Sequence, residues 1–135
     1  LSANIVSFLN YDFDTLITGD FTELPSQLIQ LATYSTDSGV TGDLNDLPTI
    51  LNYLNCRNLS ITYTPGRLWA NDFARMEVGA ISGGGLNSDE MDNLLIDLDD
   101  SVMTGGIIKM DGEHSAPTSA SDAAVAALES RGVDV

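Results

Sequence analysis

Apolar residues recur along the first half of the chain in paired columns. Leu28 and Leu31 are followed by Leu51 and Leu54, then by Phe73 and Met76, and carried backwards the columns hold Ile5 and Phe8. The period is about 22–23 residues, that of a coil laying down one short strand per turn. Two stretches are near copies: "ITGDFTELPSQLIQLAT" from Ile17 and "VTGDLNDLPTILNYLNC" from Val40. Gly19 aligns with Gly42, Asp20 with Asp43, Phe21 with Leu44, Leu24 with Leu47 and Pro25 with Pro48; Ile61 and Leu68 extend the series where Val40 and Leu47 stood. Successive strands should lie parallel, about 4.8 Å apart, with the apolar columns inward. No single turn can bury its own apolar face, so each depends on its neighbours. The "TGD" triplet reads as a turn, because Gly permits positive φ and Asp can bond nearby amides. "LP" ends the return segment, since Pro lacks an amide donor.

After Phe73 the pattern changes. Met91, Leu94, Leu95 and Leu98 make a helix stripe at i, i+3, i+4, i+7. Asn87 and Glu90 can form a capping box at its start. "IIKMD" after Gly105-Gly106 reads as a short strand. "TSASDAAVAALESRG" reads as a second helix, with Ser119 and Asp122 as its capping box and Gly132 as its stop. "VDV" begins a last strand. The division is one domain over 1–135, with short repeats in 1–82 and strand–helix units in 83–135. Both ends are expected to be cuts in a longer polypeptide or surfaces docked on another chain.

Residues 17–31, 40–54, 61–66, 87–98 and 115–132 carry a resemblance that covers most of the chain. The pattern resembles leucine-rich repeat proteins, and more closely the TGD-x-x-x-LP repeat proteins of bacteria and tailed phages. The "SAPTSASDAAVAALESRG" ending is its most specific part. The resemblance implies an α/β fold: a right-handed leucine-rich-repeat solenoid with a short parallel sheet, helix-poor N-terminal turns and two helical C-terminal units. It also implies a binding or structural role at a cell or virion surface, without enzyme activity or cofactor. One departure stands out. Standard repeats carry an Asn ladder where this chain has Phe13, Thr36 and Leu59.

Charge narrows the partners. Twenty acidic residues face five basic ones, for a net charge of -15. That argues against nucleic acid, whose phosphates need clustered Lys and Arg. The longest apolar runs fall well short of a membrane span of roughly 20 residues, so no membrane insertion is expected. Cys56 is the only cysteine, so no internal disulfide can form.

Strand residues alternate between core and the opposite face, which sorts the outward positions into three columns. The first holds Ser7, Gln30, Tyr53 and Arg75, the second Leu9, Ala32, Asn55 and Glu77, the third Tyr11, Tyr34, Arg57 and Gly79. The candidate binding residues are Gln30, Tyr34, Tyr53, Asn55, Arg57, Arg75 and Glu77, since Tyr and Arg bury much area behind a polar tip. The competing reading is that Tyr is simply a good strand residue. The partner is then a protein or a glycan, or neighbouring subunits of an assembly, in an extracellular, cell-surface or virion setting.

Other chemistry reads as bland. The acids Asp89, Glu90, Asp92, Asp97, Asp99 and Asp100 lack the Asp-x-Asp-x-Asp-Gly calcium loop, and are expected to form a solvated face with the upstream ones favoured at a helix N-terminus; no metal site is assigned. His114, the only histidine, has Glu113 and Ser115 beside it in sequence, which positions no triad. Cys56 falls on an inward column and should be a buried, inert thiol. "GGGLNSDE" lacks the Lys of a phosphate loop. Asn58-Leu59-Ser60 is a formal sequon, and Trp69 a core or edge anchor.

Overall fold

The computed structural model describes residues 7–10, 18–34 and 39–135. Among the described residues, seven strands run in chain order: β1 Ser7–Asn10, β2 Thr18–Asp20, β3 Gln30–Thr33, β4 Gly39–Asp43, β5 Tyr53–Thr62, β6 Arg75–Ala80 and β7 Ile107–Gly112. Two helices follow the repeats, α1 Ser88–Asp100 before β7 and α2 Asp122–Ser130 after it. Every pairing is parallel. Strands β1, β3, β5, β6 and β7 form a curled five-strand sheet, giving an α/β architecture. β2 pairs with β4, and β4 pairs with the second half of β5. β5 therefore belongs to both groups, and Asn58, at φ 57, sits at the irregularity between them.

The repeated letters become repeated hydrogen bonds. Leu28 N–H donates to the Pro25 carbonyl, Leu51 to Pro48 and Phe73 to Ala70, at 3.0, 3.0 and 3.1 Å. These turns deliver the inward column Phe8, Leu31, Leu54, Met76 and Ile108, each beside the next on the ladder. Leu28, Leu51, Leu54, Phe73 and Met76 are wholly buried. Ile5 lies outside the described residues.

"TGD" is not a turn. It ends a strand, and its Asp caps a single-turn 3-10 helix: Asp20 before Phe21–Glu23, Asp43 before Leu44–Asp46. The Asp side chains accept from the Thr22 and Asn45 amides at 3.0 and 2.8 Å. This is the Asx competition with regular backbone that makes Asp a cap. Gly42 has φ 137, and a Cβ there would meet Phe21 at 3.0 Å, so both conformation and close packing require glycine. The register on this side also differs from the sequence alignment. Ile61 pairs with Gly42 and not with Val40.

The third turn is one residue out of the expected step. Leu68 was aligned with Leu47, yet it is 76% exposed; Trp69 takes the core place and Ala70 the turn place of Pro48.

Helix α1 starts as its sequence requires. Asn87 accepts from the Glu90 amide and Glu90 accepts from the Asn87 amide, at 3.0 and 2.9 Å, and Met91, Leu94, Leu95 and Leu98 are buried. Helix α2 does not use the expected box. Its N-cap is Ser121, without a side-chain cap bond, because the Ser121 hydroxyl donates instead to Asp92 of α1 at 2.6 Å. Gly132 follows the helix with φ 81, the left-handed stop expected of it. Of "VDV", Asp134 makes one parallel bridge to Ile107.

Candidate binding face

The outward columns assemble as the alternation requires. Ser7, Gln30, Tyr53 and Arg75 lie side by side, as do Leu9, Ala32, Asn55 and Glu77, which Lys109 of β7 extends. Tyr34 and Arg57 are drawn together, the guanidinium carbon 5.9 Å from the ring centroid, while Gly79 pairs with Asp111. Tyr11 lies outside the described residues. Near Gly79 the Arg57 backbone is close enough that an added Cβ would touch it at 3.5 Å.

Of the middle column, Leu9 is exposed as expected, but the next three residues are not. Ala32, Asn55 and Glu77 are 0%, 2% and 7% exposed. They point away from the core, but the curl of the sheet and the longer flanking side chains close over them. Asn55 Nδ2 donates to the Tyr34 hydroxyl oxygen at 2.6 Å and to Glu77 Oε2 at 3.2 Å. Its Oδ1 is buried without a hydrogen-bond partner.

Glu77 is the hub. Arg75 reaches its Oε2 at 2.6 Å, while Arg57 and Lys109 reach its Oε1 at 3.4 and 3.8 Å. Lys109 also pairs with Asp111 at 3.1 Å. A buried carboxylate needs compensation of this kind, since an uncompensated buried charge costs several kcal/mol, about 3–5 when one partner of a pair is removed. Among the expected residues, Tyr34, Asn55, Arg57, Arg75 and Glu77 thus meet in one cluster. Gln30 stands apart, accepting from the Ser7 hydroxyl at 3.1 Å, and Tyr53 is half-buried between Gln30 and Arg75. Lys109 was missed, although "IIKMD" read as one more repeat strand would have placed it beside Glu77.

The acids of α1 form the expected solvated face only in part: Asp89 and Asp100 are exposed, whereas Asp92, Asp97 and Asp99 are engaged with other segments. Asp92 is buried and accepts from the Thr118 amide at 2.9 Å and from the Thr118 and Ser121 hydroxyls. The Ser121 and Thr118 bonds hold its carboxyl below the usual range. Asp97 accepts from Tyr63 Oη and the Gly66 amide, and Asp99 pairs with Arg131 at 2.6 Å. Each clips α1 to a different segment. Among the described residues, no three His, Cys, Asp or Glu are grouped to hold a metal.

Three residues have settled roles outside this face. Cys56 is buried, and burial pushes its thiol up to about 11, which suits inert packing. His114 Nδ1 accepts from the Leu86 amide at 3.0 Å, and burial lowers its pKa against the raising influence of the Val78 backbone and Asp111. Arg67, missed in the sequence, is only 5% exposed. It donates to the Asn45, Leu47 and Pro48 carbonyls at 2.9, 2.6 and 2.9 Å and lies 4.3 Å over the Trp69 ring.

Fold and face together define an α/β protein with a charged cluster on the outward side of a curled parallel sheet. No protein-family model, curated protein or solved structure matches the chain. No helix among the described residues is long and apolar enough to cross a membrane.

Proposed function

We propose that the chain is a leucine-rich-repeat solenoid acting as a non-enzymatic recognition module, presenting the outward sheet face to a protein or glycan at an extracellular or virion surface. The observation that carries this reading is the convergence of Tyr34, Asn55, Arg57, Arg75 and Glu77 on that face, at positions where the repeats differ in sequence. Positions that repeat, such as Leu31, Leu54 and Pro48, serve the core and the turns. A hydrolytic role has little support, since the one histidine spends Nδ1 on a backbone amide and the one thiol is buried. The test is retention on a glycan array and a panel of surface proteins. The wild-type chain should be retained by some member of the panel, and Tyr34→Ala, Tyr53→Ala and Arg57→Ala combined should abolish retention with the circular dichroism intact. Retention that survives the triple change refutes the assignment of this face.

A second reading, a structural subunit that docks through its ends, is favoured by one observation. On the side of β7 away from β6, Asp134 at Ile107 is the one described bridge, and a cleft of about 440 Å³ lined by Met91, Leu95, Ile108, Met110 and Val125 lies nearby. An unpaired strand edge beside apolar surface is a natural place to add a strand. Sedimentation as a monomer at every concentration counts against it.

A further inference from the structure

On one side β7 pairs with β6, and that is where the curled sheet stops. On its other side the hydrogen bonds already fix a direction and a register. Ile108 N–H donates to the Asp134 carbonyl at 2.7 Å, and Asp134 N–H donates to the Gly106 carbonyl at 3.0 Å. Ile107 N–H turns the opposite way, to the Ala74 carbonyl at 3.3 Å. Backbone groups alternate between the two sides of a strand in a parallel ladder. The Ile108 carbonyl and the Met110 N–H therefore face the same side as Asp134. Among the described residues, nothing continues that ladder past Asp134.

Side chains alternate across the other axis of the strand. Ile108 and Met110 point inward, and Lys109 and Asp111 outward. The inward column that runs from Phe8 through Leu31, Leu54 and Met76 ends at Ile108, on a cleft of about 440 Å³. Met91 and Leu95 of α1, Met110, Val125 of α2 and Val135 line it with Ile108. Two of these are methionines, which adapt to apolar side chains of different shape.

A strand laid along Lys109–Gly112, in line with Asp134, meets both halves of this site. Its backbone donates to the Ile108 carbonyl and accepts from the Met110 N–H. Its alternate side chains enter the cleft, and those between them lie beside Lys109 and Asp111. Lys109 is already held by Glu77 and Asp111, at 3.8 and 3.1 Å. Asp111 keeps 42% of its side-chain surface in solvent, and exposed Asp134 and Glu113 stand at the two ends of the open edge. The chain as a whole carries a net charge of -15, a field that draws in a cationic partner.

We propose that this edge receives an extended basic segment of a partner protein, which adds to the sheet as a further strand parallel to β7. Main-chain bonds fix its direction, apolar side chains two apart fill the cleft, and a Lys or Arg between them faces Asp111. This inference rests on the second reading above and names the chemistry of the partner.

The test is amide hydrogen exchange, read by NMR on the whole chain with a short capped peptide that alternates leucine with lysine. Binding should slow exchange of the Met110 amide and leave those of Lys109 and Asp111, already turned toward β6, unchanged. Asp111→Asn should weaken the peptide about threefold, the value of an exposed ion pair. Met110→Pro removes the N–H and should lower affinity at least about tenfold; proline is tolerated where a strand's N–H faces outward, and a melting curve checks the fold. Should that variant unfold, the exchange pattern and Asp111→Asn still decide. Absence of binding, or binding that leaves Met110 exchange unchanged, overturns the proposal. Equal binding by a peptide of the same composition with its leucines adjacent, or by one with glutamate for lysine, overturns the assignment of a basic alternating strand. Slowing of Met110 exchange on concentrating the chain alone means that a second copy fills the edge, and overturns the separate partner. Sedimentation of the chain without peptide decides the second reading independently.

Discussion

Replacing Arg67 by methionine probes how the repeats are tied together. The guanidinium is nearly buried, and it donates to the carbonyls of Asn45, Leu47 and Pro48, in the preceding sequence repeat. Its plane also covers Trp69, whose ring stacks at 6.3 Å on Tyr63 and meets Phe73 edge-on at 5.5 Å. Hydrogen bonds to a charged donor contribute about 1.5–3 kcal/mol each, and a desolvated cation–π contact about 2. Against this stands the desolvation of the guanidinium, several kcal/mol. Methionine retains the apolar stem and removes that desolvation, but takes the guanidinium donor from the Asn45 and Leu47 carbonyls, while the Pro48 carbonyl keeps the Leu51 N–H. The net loss should be about 3 kcal/mol, which at this chain length lowers the melting temperature by roughly 10 °C. Lysine should rescue little, because a point charge with three rotatable donors does not match a planar fork. Urea denaturation at pH 7 measures the difference directly, with an unchanged m-value showing that the unfolded state is the same. A loss below about 1 kcal/mol would refute the view that Arg67 fastens the turn, and would mean that water replaces it freely.

Two further outcomes follow from local geometry. Val102 lies just past α1 with φ 55, a conformation costly for a β-branched residue, and its side chain is 60% exposed. Val102→Gly should therefore stabilise the fold by about 1 kcal/mol, read as a higher urea midpoint, whereas destabilisation would mean that this side chain contributes packing beyond its exposure. His114 has a lowered pKa in the folded chain, so the unfolded chain binds its proton first. Its stabilising contribution is complete above the unfolded value near 6.5 and declines as pH falls below it, by at most about 1.4 kcal/mol per pH unit. His114→Asn should flatten that slope between pH 7 and 5.5 in urea titrations.

Inside and outside were legible for a physical reason. A strand slipped by one residue exchanges its two faces, and the apolar columns allow one register only. That is why Ser7, Gln30, Tyr53 and Arg75 group together from the sequence alone, and why Phe8, Leu31, Leu54 and Met76 face inward as expected. What alternation does not encode is curvature. Asn55 and Glu77 point outward and yet are buried, because their cover comes from residues on other turns. Arg67 was illegible for a related reason. An Arg in "TPGRLW" reads as a solvated loop residue, and its acceptors lie 19–22 positions earlier. Of the α1 carboxylates, Asp89 and Asp100 are exposed as expected, but the engagement of Asp92, Asp97 and Asp99 was illegible because their donors, Thr118, Ser121, Tyr63 and Arg131, come from remote segments.

The ten-residue strand β5 has a consequence for how the molecule comes apart. In a simple array of repeats, units are lost one at a time from an end, each opening costing only its nearest-neighbour interface. Here β5 pairs with β3 and β6 through its first half and with β4 through its second. The two groups of strands are thereby joined by one continuous piece of backbone. Fraying that begins at β1 or β2 meets a boundary where both sides must open together, and the free energy of opening should rise there in a step. The paired strands behave less like a zipper and more like two zippers that share a single stop.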